Sequence, residues 1–191
     1  MAELSFIVEG KSDKHFLKHF VQYHFGATIE DEDFIVVEGN IEKIHLVEQS
    51  IKSSSQAGKT NLLFFDADTD CYGTIDRIEE KRNEMSFEFD VFLFPNNHDS
   101  GNLETLLRGC INKDNDQLFE CIDSYASCID RLQLDNLQRF DEKAKFFVYV
   151  ESFSVGGSGK GDKREYFEKQ LWNLNSEGLK PLKEFLDIHL Q

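Results

Sequence analysis

Apolar positions recur along the first half of the chain in short runs, separated by stretches whose apolar residues are three or four apart. Leu4–Val8 reads as a short buried strand. From Asp13 to Phe25, residues Phe16, Leu17, Phe20 and Val21 share one helix face, and Ser12 or Asp13 could cap it. Phe34–Val37 is the second strand. Ile41, Ile44, Val47 and Ile51 give the next helical stripe, which SSSQAGK breaks. Asn61–Phe65 is the third and most apolar strand, Thr74–Met85 a charged helix, and Phe87–Phe94 the fourth strand, closed by Pro95. Strands alternating with helices predict an α/β fold with a mostly parallel sheet and helices on both faces.

Beyond Pro95 the periodicity becomes helical. Asn102–Cys110, Asp116–Leu132 and Leu137–Glu151 fit helices, although FFVYV within the last also fits a strand. Ser154–Lys163 is glycine-rich, and Arg164–Trp172 and Leu179–Leu190 read as a closing helical pair. The expected organisation is an α/β core over 1–98 and a mainly helical C-terminal extension over 99–191, packed into one globular unit.

Composition narrows the function classes. The chain has 191 residues, 18 of them Phe, enough for a core without staples. Its formal charge of −15 repels nucleic acid over most of the surface, so a polyanion would need a local site. None of Cys71, Cys110, Cys121 and Cys128 forms a C-x-x-C pair, which leaves free thiols and no zinc ribbon. The run at Ala2–Val8 is too short for a signal peptide, and no stretch approaches a membrane span. These features predict a cytoplasmic protein without membrane contact.

Candidate chemistry lies at two strand ends. IVEGKSD, Ile7–Asp13, ends strand one with Glu9, a Gly10 turn and Lys11. LLFFDADTD, Leu62–Asp70, ends strand three with Asp66, Asp68 and Asp70. Ligands of open parallel sheets bind beyond the carboxyl ends of the strands. If the two strands are neighbours, Glu9, Asp66 and Asp68 share a small volume. If the backbone stays extended, Asp66 and Asp68 also point the same way. Such a carboxylate cluster calls for hard divalent cations, and Lys11 could contact a phosphate. Read alone, DADTD equally fits a helix cap or an Asx-turn.

Together the two motifs resemble the Toprim fold. IVEGKSDKHFL is similar to its strand followed by Glu-Gly, and FFDADTD to its D-x-D. The likeness covers about residues 3–95. FLFPNNHDSGNLETLL, KAKFFVYVES and the later Trp extend a likeness to a small group of Toprim-related bacterial proteins over nearly the whole chain. One departure is that glycine follows the second motif only at Gly73, after Thr69, Asp70 and Cys71. The resemblance implies a Mg2+- or Mn2+-dependent phosphotransfer site, nuclease-like and acting on nucleic-acid phosphodiesters. Glu9 would be a general acid/base or metal ligand; Asp66 and Asp68, with Asp70 and Glu104, would be further ligands. Glu104 equally fits a first-turn acid that complements a helix dipole. The competing reading is a non-catalytic accessory protein with a protein partner or a second copy of itself, in repair or defence.

Other residues add weaker candidates. His98, in a polar loop after strand four, could shuttle a proton or contact phosphate. Lys160, Lys163 and Arg164, in VGGSGKGDKR, could fold over a phosphate, or the segment could be a solvated linker. It lacks P-loop spacing. His15 and His19 have zinc-ligand spacing but no third ligand, and read as exposed helix histidines.

Overall fold

A computed structural model describes residues 3–85 and 87–190. The N-terminal reading at Ala2 and the outermost residues of the two expected regions lie outside them. Four strands, β1 (Leu4–Val8), β2 (Phe34–Val36), β3 (Thr60–Asp66) and β4 (Asp90–Phe94), form one all-parallel sheet in the order β2-β1-β3-β4. The expected α/β architecture with helices on both faces is present. The connections run through α1 (Lys11–Phe25), α2 (Glu48–Gln56) and α3 (Cys71–Met85). Chain order reverses between β1 and β3, so their carboxyl ends flank the crevice that an open parallel sheet leaves for ligands.

Alternation along each strand divides the core. Phe6, Val8, Leu62, Phe64, Phe92 and Phe94 face one layer; Ile7, Leu63, Phe65 and Leu93 face the other. Ile41, Ile44, Ile51, Cys71 and Ile78 cover the second face. The first is covered by α1 and by α4 (Leu103–Arg108), α5 (Asp116–Asp130), α6 (Glu142–Glu151) and α7 (Lys180–His189). Residues after 99 therefore share one continuous apolar cluster with the sheet. Gly26 ends α1 in the left-handed conformation (φ 63°), its N–H bonded to Gln22 O.

Several elements differ from expectation. FFVYV lies in a helix, but that helix begins at Glu142 rather than Leu137, where the Asp141 side chain accepts from Ala144 N. Strand β4 begins at Asp90; Phe87 and Phe89 are buried ahead of it. The stripe from Ile41 starts as a 3-10 helix over Ile41–Val47, and the serines continue α2 to Gln56. Arg164–Trp172 forms no helix. Short turns around Glu168 alternate with bonds that leave the segment, Glu165 N to Gly156 O and Asn112 N to Leu171 O, and Tyr166, Leu171 and Trp172 are buried together. His15 and His19 are half-buried beneath this segment rather than exposed.

Among the described residues, no helix is long and apolar enough to cross a membrane. All four cysteines are free. Phe64 sits at the sheet centre against Phe6, Phe92, Phe94 and Phe185. Phe64→Ala is expected to cost about 3–5 kcal/mol of stability in urea denaturation.

Candidate functional site: an acidic cleft at the sheet's switch point

The β1–β3 register places Val8 beside Phe64, so the turn after β1 runs alongside the end of β3. Glu9 Oε2 lies 3.5 Å from the Asp66 amide, a long contact that turns this carboxylate toward β3. Gly10 N donates to Asp13 Oδ2 at 2.7 Å, bringing Asp13 in from the third position of α1. Asp66 Oδ1 accepts from Leu103 N at 3.0 Å, which joins the start of α4 to the strand end. Glu104, the next residue, is 2% exposed.

These groups line a cleft of about 330 Å3 with Lys11, Lys143 and Glu38. Five carboxylates, Glu9, Asp13, Glu38, Asp66 and Glu104, line it against two lysines. Burial raises the Asp66 pKa to about 8, with Asp13 and Glu9 adding repulsion. Burial also raises Asp13 to about 7, opposed by its bond from Gly10. Glu9 is raised too, mainly by burial. Glu38 lines the cleft at φ 57°, and Asp68 follows β3 at φ 55°. Non-glycine residues held in this region carry local strain of a kind that clusters at functional sites.

Behind Glu104 lies Arg164, 2% exposed, its Nη1 3.9 Å from Glu104 Oε1. Its Nε donates to Gly159 O at 3.2 Å, and the guanidinium stands 5.4 Å from the Phe146 ring centroid. The glycine-rich segment thus delivers Arg164 inward, not over the cleft. It is also docked: a Cβ at Gly161 would collide with Ser12 Oγ, and one at Gly159 would lie 2.5 Å from Phe147 O. His15 Nε2 bonds Arg164 O at 2.7 Å from the other side.

The remaining expected residues disperse. Asp68 is exposed and outside the cleft lining, because its left-handed backbone ends the extension that would align it with Asp66. Asp70 caps α3, its Oδ1 accepting from Gly73 N at 3.0 Å. His98 is exposed and paired with Asp99 at 3.0 Å. Lys160 and Lys163 are exposed and do not line the cleft. Asp13 and Lys143 were not expected there. The spacing of Asp13 from Glu9 along the first helical turn was the available signal; nothing local marked Lys143.

A family model described as a protein of unknown function (DUF3226) matches residues 5–190. The chain belongs to the DUF3226 family. No curated protein and no solved structure matches it. The acidic cleft of this DUF3226 chain therefore has to be read from its own chemistry.

That chemistry suits a hard cation in its donors, which are carboxylate oxygens short of positive charge. Among the described residues, no three His, Cys, Asp or Glu side chains are already gathered as a metal-binding group. An ion that keeps several of its own waters needs fewer direct ligands than such a group supplies.

Two outcomes follow for the DUF3226 chain without added metal. The folded state holds protons on Asp13 and Asp66 that the unfolded chain releases near pH 4, so stability should fall as pH rises from about 4 to about 8. Denaturation across that range should show a smaller fall in Asp66→Asn. Arg164→Met strands a buried carboxylate and should cost about 3–5 kcal/mol, with much of the loss recovered when Glu104→Gln is added. Urea titration of both singles and the double checks this coupling.

Proposed function

We propose that this protein is a Toprim-type, Mg2+- or Mn2+-dependent phosphotransfer protein, nuclease-like and acting on a nucleic-acid phosphodiester. One observation carries the reading: Glu9 and Asp66, far apart in the chain, converge with Asp13 and Glu104 in one cleft at the β1–β3 switch point. Glu9, Asp66 and Glu104 would hold the ion, with Asp13 beside them. Asp68 stands close enough to act on Glu9 electrostatically and would join from the rim. Asp70, engaged in its cap, is the most distant of the expected ligands in role. A bound divalent ion supplies positive charge to the phosphate oxygens and relieves the repulsion among the carboxylates.

The chain's own residues do the rest. Glu9 is half-buried, and burial raises its carboxyl above the usual carboxylate range, the direction that suits a group that takes or gives a proton. Lys11 lines the cleft where α1 begins, so its ammonium and the helix N-terminus favour the same anion. Lys143 faces the cleft from α6 and adds a second cation for the phosphate. Four free cysteines support a cytoplasmic setting.

A second reading is a non-catalytic accessory protein of the same fold that binds a protein partner or a second copy. The charge of −15 and the withdrawal of Arg164 into the core favour it, since both reduce the basic surface open to nucleic acid.

Calorimetry should show Mg2+ binding by the wild type and none by Asp66→Asn with Asp68→Asn, whose circular dichroism stays native. Equal affinity in that variant overturns the assignment. Single- and double-stranded DNA and RNA incubated with Mg2+ or Mn2+ should be cut by the wild type and spared by Glu9→Ala. Absence of any cleavage, together with a stable partner, favours the accessory reading.

A further inference from the structure

A second concavity of about 370 Å3 opens near the other end of α1, between Tyr23 and the irregular segment 166–175. Trp172 and Tyr166 form its inner wall. Tyr23 and Phe167 stand in its lining, 36% and 37% exposed, with ring centroids 6.4 Å apart and planes inclined by 26°. Two large rings left in solvent and nearly parallel offer stacking faces to a planar ligand.

The polar groups of this pocket point the same way. Lys113 and Lys169 line the pocket, and no carboxylate does, on a chain whose net charge is −15. The walls are already fixed: Asn112 Nδ2 donates to Lys169 O at 2.9 Å, and Asn175 Nδ2 to Tyr23 Oη at 2.8 Å. Such a preformed pocket loses little freedom when it is filled.

We propose that this pocket binds a nucleotide. The base stacks on Phe167 and Tyr23, and Lys113 with Lys169 holds the phosphate. Aromatic faces and two lysines with no lining carboxylate match a heteroaromatic anion better than a sugar or an aliphatic acid. The nucleotide is either free or one unit of a strand. In the second case it anchors that strand roughly 18 Å from the acidic cleft, at about 1.5 Å per residue along α1. Only this link to the cleft rests on the function proposed above.

Trp172 is the single tryptophan, so intrinsic fluorescence reports directly on the pocket. The whole chain is titrated, with no divalent ion, against adenosine and uridine monophosphates, a short single-stranded oligonucleotide, and inorganic phosphate. The expected result is saturable quenching by nucleotide but not by phosphate. Quenching should weaken about tenfold in Phe167→Ala, and also in Lys113→Glu with Lys169→Glu. Asp66→Asn should bind as the wild type does, whatever the metal experiments give. Tighter binding of the oligonucleotide identifies a strand, and equal binding a free nucleotide. Phe167→Leu replaces Phe167→Ala if thermal melting shows that the alanine variant is unfolded. The proposal is overturned if no nucleotide quenches, if phosphate quenches equally, or if the folded variants keep wild-type affinity.

Discussion

The pairing of β1 with β3 is the constraint on which the rest of the structure depends. Both strands are buried on both faces, and their parallel ladder fixes where each one stops. Glu9 leaves β1 just as β3 reaches Asp66. Neither residue would form a site alone. The sheet brings them together although their mutual repulsion opposes it, and apolar burial on two faces provides the opposing free energy. A one-residue slip in that ladder would exchange the side chains packed on the two faces of the sheet and separate the two carboxylates.

Around this centre the protein offsets its own crowding. Asp13 accepts a backbone bond from Gly10, Asp66 accepts one from Leu103, and Glu104 faces Arg164. Each arrangement recruits a different part of the chain: the turn after β1, the start of α4, and the segment after the glycines. The cleft itself is lined from five sequence regions, 9–13, 38–39, 66, 104 and 143, so the C-terminal half is structurally part of it.

The sheet and its flanking helices were legible because period-two and period-3.6 patterns are strong where both faces of a sheet are covered. Glu9 and Asp66 were legible for the same reason: strand ends can be located from apolar runs. Asp68 was misplaced geometrically, since a left-handed residue is invisible to an argument that assumes an extended backbone. Arg164 carried no mark of burial. Its neighbours are charged and glycine-rich, and only tertiary packing against Phe146 and Gly159 draws it inward. Segment 164–172 holds apolar residues at spacings that suit a helix, yet Glu165 N bonds Gly156 O and Leu171 O accepts from Asn112 N, partners that local periodicity cannot reveal.

The position of α7 has a consequence for how the chain is made. Leu182 and Leu186 join the cluster on the α1 face, and Phe185 packs on Phe64 and Phe92. During translation, β1 through β4 emerge long before residues 180–189. Until those residues leave the ribosome, the middle of the sheet keeps an uncovered aromatic surface. Until α7 is in place that aromatic surface lacks its cover, the kind of transient apolar exposure that makes incomplete cores prone to aggregate.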